Sequence, residues 1–325
     1  MKAIVRDEYG APEVLKLEEV NRPVPKDDEV LVRVRASSLN RADLYGIQGF
    51  PMLLRLAMGL FKPRVRGVGL DFAGDIVEVG ALVDDLQPGE PIYGQASVGQ
   101  TWAEYVCVPA SLTAPKPKTL SYEQAAAVPL SALTALQGLR NQGQVTEGTS
   151  ALINGATGAV GTFAVQIAKA LGAREVTAVC SERNVELVRS LGADHVIPYE
   201  SEDLLACDRK FDLFFDGVGN RPLRACLGLL NATGIFVASG APDTGRWLGP
   251  VKRTLSVLTQ AVFVPQKVKV FVGTPNQADL LTLTELIESG KVTPAIDRVF
   301  PLEETPDAVR YLIEGRPSSK VVLKV

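Results

Sequence analysis

The chain has 325 residues, 46 % hydrophobic and 22 % charged, which excludes a disordered or fibrous protein and, at roughly 150 residues per domain, suggests two domains. Thirty-four basic against 37 acidic residues leave a formal charge of −3, so there is no basic surplus for a nucleic acid. One histidine and four cysteines in the whole chain speak against most zinc enzymes and histidine-dependent hydrolases.

The first ten residues, MKAIVRDEYG, are charged early and lack the apolar core of a signal peptide. Up to about residue 120, short β-branched or alternating runs recur: KAIVR, VLKLEEV, EVLVRVRAS, FAGDIVEVG and WAEYVCVP. Pro- and Gly-rich breaks such as RPVPKDD and LQPGEPIYG separate them, which predicts a small barrel-like β domain. From about residue 126, strand-like TSALING, REVTAVC, FDLFFD and GIFVAS alternate with helical stretches at 159–171, 183–191 and 221–230. That alternation predicts an α/β unit with a doubly wound parallel sheet. After 275 follow a helix, a strand near Ile296–Phe300, a helix to Glu314 and a last strand, KVVLKV. The final part is expected to return to the first domain. One domain then covers 1–125 and 273–325, with a nucleotide unit, 126–272, inserted in it. The uncharged run Gly148 to Ala168 contains four glycines and an Asn-Gly pair, so it reads as strand, loop and helix rather than a membrane span. Cys107, Cys180, Cys207 and Cys226 never approach C-x-x-C spacing and sit in apolar sequence, which predicts buried reduced thiols in a cytoplasmic protein.

The densest motif is ALINGATGAVG, 151–161. A buried strand runs into a glycine turn and then an amphipathic helix, TFAVQIAKALGA. Gly155 allows the tight turn, Gly158 lets backbone amides approach a pyrophosphate, and Gly161 lets the helix pack close to the strand. Ala156 stands where G-x-G-x-x-G has its first glycine. The loop Gly155, Ala156, Thr157, Gly158, Ala159, Val160 and Gly161 is therefore the candidate dinucleotide cradle, its helix N-terminus offering free N–H groups to phosphate. The next strand ends in Cys180-Ser181-Glu182-Arg183-Asn184. Glu182 offers a carboxylate for the ribose of NAD, whereas a hydroxyl with Arg183 suits the 2′-phosphate of NADP; NADP is favoured.

NGATGAVGTFAVQIAK followed by RSLGADHVI resembles the medium-chain dehydrogenase/reductase superfamily, in its zinc-independent quinone oxidoreductase branch. SSLNRADLYGIQG, GLDFAGDIVEVG, TWAEYVCVP, AAAVPLSALTALQGL and GKVTPAIDRVFPLEETPDAVRYL extend the resemblance across nearly the whole chain. The resemblance implies a GroES-like β-rich catalytic domain made from both chain ends, a Rossmann domain between, and a site in the cleft. It implies NADP(H) and no zinc: the positions matching the metal ligands are Asn40, Leu70 and about Leu130, which supply neither thiolate nor imidazole. Asn40, Asp43 and Tyr45 match the family's N-x-x-D-x-Y segment. Asn40 and Tyr45 are expected to polarise or position the substrate carbonyl, and Asp43 to be structural, because a carboxylate facing a developing enolate would repel it. Thr134, Gly240, Phe271, Val272 and Gly273 match positions beside the nicotinamide, and Ser181 and Tyr199 match positions around the 2′-phosphate. Two departures stand out: Asn184 replaces a frequent lysine, with Arg183 one residue earlier, and Ser319-Lys320 replaces Gly-Lys before the last strand.

The sole histidine, His195, is expected at a surface or edge, outside catalysis. Two apolar, basic segments, 50–66 and 245–263, are expected either to pack against each other or a second copy, or to line an apolar substrate channel; membrane contact is not favoured. Pro51 suits the start of a helix in the first segment, with Gly59 and Pro63 ending it. The resulting expectation is a homodimeric NADPH-dependent reductase of a small, apolar, electron-poor quinone or α,β-unsaturated carbonyl. The alternative is a non-catalytic scaffold that keeps nucleotide binding.

Overall fold

The computed structural model describes residues 1–240, 250–262, 264–315 and 317–325, and of 250–252 the backbone alone. It divides into two compact units, Met1–Leu133 with Pro275–Gly290 and Pro294–Val325, and Thr134–Thr274 with Lys291–Thr293. The borders after Leu133 and Thr274 thus lie eight and two residues beyond the expected 125/126 and 272/273. The first falls within the helix Pro129–Gln137, which continues unbroken through it. Residues 291–293 join the second unit because Gln166 Nε2 donates to Thr293 O (3.0 Å) and Thr293 N–H donates back to Gln166 Oε1 (2.8 Å).

The chain opens with β1 (Lys2–Val5) and β2 (Lys16–Glu19), an antiparallel pair. Then come β3 (Glu29–Leu39), α1 (Arg41–Gln48), α2 (Arg55–Met58), β4 (Asp71–Val79), β5 (Pro91–Gln95), β6 (Tyr105–Pro109) and β7 (Thr113–Pro115). Strand β5 lies inside the break LQPGEPIYG: Pro91 takes the first strand position, where its missing N–H costs least. Helices α3 (Tyr122–Ala126) and α4 (Pro129–Gln137) lead into the second unit.

That unit alternates β8 (Ser150–Asn154), α5 (Ala159–Ala170), β9 (Glu175–Cys180), α6 (Val185–Ser190), β10 (His195–Pro198), β11 (Phe211–Asp216), α7 (Leu223–Leu227), β12 (Leu230–Ala238), α8 (Pro250–Ala261) and β13 (Lys267–Val270). All its strands are parallel, in the order β10-β9-β8-β11-β12-β13. This is the doubly wound order, and it reverses between β8 and β11. The core side chains Leu152, Phe214 and Phe236 are fully buried because a parallel sheet is covered on both faces. The chain then returns through α9 (Gln277–Glu288), β14 (Ile296–Pro301), α10 (Thr305–Glu314) and β15 (Lys320–Lys324).

The last strand closes the first unit, pairing parallel with β14 and antiparallel with β3. β3 is long enough to serve two neighbours on one side: its first half pairs β6 and its second half β15, while β4 runs along the other side. Val30, Val32, Val34, Phe72, Ile76, Ile92, Val106 and Val108 form one core, and Leu39, Leu44, Ile47, Trp102, Val321 and Leu323 a second.

Candidate active site

The glycine loop follows β8 at the point where strand order reverses. Gly155 has φ +84°, and a side chain there would strike Val218 at 2.5 Å. A Cβ on Gly161 would lie 2.0 Å from Gly155 O, so only glycine lets α5 start this close to the turn. Gly158 is exposed, and a Cβ there would meet nothing nearer than 3.4 Å. It is the N-cap of α5 and brings no capping side chain, so the first helical N–H groups remain for a ligand.

The neighbouring strands deliver their loops to the same edge of the sheet. Asp216, at the end of β11, is fully buried. It accepts from Asn154 Nδ2 (2.9 Å), Val218 N–H (3.2 Å) and Gly219 N–H (2.9 Å), and pairs with Arg253 at 3.1 Å. Gly240, after β12, packs on this loop so tightly that a Cβ would lie 2.0 Å from Gly217 O. After β13, Phe271 packs against Gly138, Val272 is exposed, and a Cβ on Gly273 would come within 2.7 Å of Thr134 Oγ1. Gln137 ties this loop down: its Nε2 donates to Thr274 O (2.7 Å) and its Oε1 accepts from Thr274 N–H (3.0 Å). Gly240 and Phe271–Gly273 therefore stand on packed, hydrogen-bonded loops at the carboxyl edge of the sheet, where open α/β sheets bind ligands, and Thr134 on α4 packs against Gly273.

At the end of β9, Asn184 Nδ2 donates to Ser181 Oγ (2.9 Å) and reaches Thr157 Oγ1 (3.5 Å), linking this turn to the glycine loop. Arg183 and Tyr199 are exposed beside it, and Tyr199 N–H donates to Cys180 O (3.0 Å). Glu182 N–H donates to the Glu200 carboxylate, so acidic as well as basic groups stand here.

In the first unit, Asn40 and Asp43 begin α1. Asn40 N–H donates to Asp43 Oδ2 (2.7 Å) and Asp43 N–H to Asn40 O (3.0 Å), a reciprocal cap. The Asn40 side chain is buried and engaged at both ends: Nδ2 donates to Asp71 Oδ2 (3.0 Å) and Oδ1 accepts from Lys320 Nζ (2.6 Å). Lys320 also reaches Asp71 (3.3 Å) and Ser131 Oγ (3.4 Å), while Asp71 accepts from Ser38 Oγ and Leu130 N–H, both at 3.0 Å. Tyr45, one turn further along α1, is partly exposed with its ring 6.3 Å from that of Phe50. Burial pushes the Asp43 carboxyl up to about 7, with Asp71 adding to the rise, and burial lowers the Lys320 ammonium against the pull of both carboxylates.

Residues 26–118 match the alcohol dehydrogenase GroES-like domain and residues 191–323 the zinc-binding dehydrogenase domain. The chain is 36 % identical to a 2-methylene-furan-3-one reductase of Solanum lycopersicum, over 99 % of its own length and 79 % of that protein. It is 35 % identical, with the same coverage, to a chloroplastic NADPH-dependent alkenal/one oxidoreductase of Arabidopsis thaliana. The quinone oxidoreductase structure from Coxiella burnetii superposes with a TM-score of 0.87 at 32 % identity, covering 100 % of this chain and 99 % of that one. The chain belongs to the medium-chain dehydrogenase/reductase family, in its quinone oxidoreductase-like branch.

Members of this family that hold zinc need thiolate, imidazole or carboxylate ligands, and the residues here do not fit one. Asn40, Leu70 and Leu130 offer no such ligand, and the buried carboxylate beside them, Asp71, already faces an ammonium. Among the described residues no three His, Cys, Asp or Glu side chains gather to hold a metal ion. A dinucleotide fits better, since the first turn of α5 is left uncapped at Gly158, where the strand order of the parallel sheet reverses.

Asp71, Ser131 and Gln137 escaped the sequence reading, and Lys320 entered it only as part of the Ser319-Lys320 departure, with no role assigned. Asp71 and Lys320 did leave a trace there, each a charge at the edge of an apolar run, LDFA and KVVL. His195 begins the edge strand β10 and pairs with Glu175 at 2.7 Å, half-exposed. The cysteines are free; Cys180 and Cys226 are buried as expected, whereas Cys107 and Cys207 are only partly so. Burial pushes the Cys107 and Cys180 thiols up to about 11 and Cys226 up to about 12, which keeps them unreactive. In the segment 50–66, Met52–Leu54 forms a 3-10 turn and α2 follows, ending at Gly59 with φ +119°. Leu53, Leu56, Leu60 and Phe61 are exposed. Of the segment 245–263, residues 245–249 and 263 lie outside the described residues.

Proposed function

We propose that this chain is an NADPH-dependent, zinc-free reductase of quinones or α,β-unsaturated carbonyls. The observation that carries the reading is the glycine loop at the reversal of the parallel sheet, in a chain whose near-full-length relatives are named for quinone, alkenal and enone reduction. Gly155 to Gly161 hold the pyrophosphate, Ser181, Arg183 and Tyr199 the 2′-phosphate, and Thr134, Gly240 and Phe271 to Gly273 the nicotinamide end. Bound NADPH supplies the hydride. Asn40 and Tyr45 donate hydrogen bonds at the acceptor oxygen, where negative charge grows as the hydride arrives. Asn40 Nδ2 carries two hydrogens and Asp71 takes one. An electron-poor acceptor needs no stronger electrophile than these neutral donors.

We assign the enzyme to the cytoplasm as a homodimer. The four free cysteines support the first. The outermost strand β13 and exposed Leu255 and Leu258 on α8 support the second. The test is NAD(P)H oxidation with 9,10-phenanthrenequinone, 1,4-benzoquinone and an alkenal, with sedimentation of the same sample. Turnover with NADPH above NADH is expected, and Arg183→Ala is expected to raise the KM for NADPH about tenfold while leaving that for NADH unchanged. Nucleotide binding without turnover of any acceptor would favour the scaffold; a monomer would remove the dimer.

A further inference from the structure

The Asn40 carboxamide stands between opposite charges, and this decides which way round it sits. Its oxygen faces the Lys320 ammonium at 2.6 Å and its nitrogen faces the Asp71 carboxylate at 3.0 Å. Turned over, it would set N–H groups against an ammonium and a carbonyl oxygen against a carboxylate. Lys320 and Asp71 are 0 % exposed and Asn40 is 3 % exposed, so water does not relieve either contact. The rest of the cluster holds the two charges in place. The ammonium has three hydrogens and three neighbours, Asn40, Asp71 and Ser131. Asp71 is fixed by the Ser38 hydroxyl and the Leu130 N–H.

We infer that Lys320, held by Asp71, is a positioning residue that orients and polarises Asn40 as the hydrogen-bond donor to the substrate oxygen. The inference rests on the reading of this chain as a quinone or enone reductase. A positive charge on the amide oxygen draws electron density from the nitrogen and strengthens the second Nδ2–H as a donor. The cation is tethered to β15 and acts through one amide. It stands beside Asn40, and its partner Asp71 accepts from the Leu130 N–H, so the pair adjoins two of the three positions that offer zinc no ligand. The disagreement with a zinc site thus has a positive content: a fixed ammonium–carboxylate pair stands beside positions from which ligands are missing.

The experiment is single-turnover hydride transfer from NADPH to 9,10-phenanthrenequinone, with Tm and the KM for NADPH measured alongside. Lys320→Met, Asn40→Ala and their combination are compared with wild type. Lys320→Met is expected to slow hydride transfer about tenfold, the loss of one charge-assisted hydrogen bond's advantage, with the KM for NADPH within about twofold. Adding Lys320→Met to Asn40→Ala is expected to cost nothing more, because both act through one donor. Ethylammonium is expected to restore part of the activity of Lys320→Ala saturably. Wild-type hydride transfer in a folded Lys320→Met, or losses that multiply in the double variant, would overturn the inference. If Lys320→Met does not fold, Asp71→Asn replaces it, with the same slowing expected and a wild-type rate overturning. Full activity in Asn40→Ala would instead sink the donor role of Asn40 itself, and no turnover by wild type the reductase reading, so the three failures are distinguishable.

Discussion

Burial governs what single side chains in the first unit do. Asp43 accepts the N–H that opens α1, yet its surroundings are dry and Asp71 is close, and together these hold its pKa near 7 against 3.8 for a free aspartate. Between those values the folded protein keeps a proton that the unfolded chain releases. Its contribution to stability is therefore complete below about pH 4 and is lost as pH rises through 7. Asp43→Asn keeps an acceptor for the Asn40 N–H without the charge. Its stability relative to wild type is expected to improve by about 2 kcal/mol between pH 5 and pH 8 in urea unfolding. A constant difference across that range would show that Asp43 is already ionised at pH 5. The last two glycines of the loop make a second comparison. Gly161→Ala forces a methyl to 2.0 Å from Gly155 O and is expected to cost about 1–3 kcal/mol, read as a lower Tm. Gly158→Ala is expected to leave Tm unchanged and weaken NADPH binding, since its methyl comes no nearer than 3.4 Å to the protein, at Gly155 O, and would crowd only the ligand. Equal Tm losses in the two variants would contradict this division of roles.

At the scale of elements, strands and helices were legible wherever the pattern was local. The alternation in EVLVRVRAS became β3, and the apolar stripe of TFAVQIAKALGA became most of α5. The misses were elements set by packing. β5 hides in a Pro-Gly stretch because its partners, β4 and β7, supply the hydrogen bonds that its own sequence does not advertise. The stretch 221–230 shortened to α7 because Leu230 is claimed by β12. The insertion at 50–66 formed its predicted short helix, pinned by Tyr9 Oη donating to Gly59 O (2.8 Å) and by Arg55 stacked 4.5 Å over the Tyr9 ring. That leaves Leu53, Leu56 and Phe61 outside the fold's own core. Deleting 52–61 is expected to lower turnover of hydrophobic acceptors severalfold with the KM for NADPH unmoved; unchanged acceptor kinetics would end the channel role.

Across the whole molecule, the chain's return matters more than its length suggested. β15 is an inner strand of the large sheet of the first unit, and Val321, Val322 and Leu323 are fully buried in it, so that unit is complete only when the last residues arrive. The α/β class, the alternating unit set between two β-rich parts and the glycine loop were readable from spacing over a few residues and from periodicity, which one chain displays without partners. The N-x-x-D-x-Y segment was picked out only by the resemblance to the family. The lysine cluster was not readable, because the hydrogen-bonded Asn40 and Lys320 are 280 residues apart and meet only when β3 and β15 become neighbours. Sequence shows that position 40 carries a carboxamide and neither thiolate nor imidazole. Tertiary structure alone decides that a buried cation holds its amide in one orientation, since burial and charge proximity are properties of the packed chain.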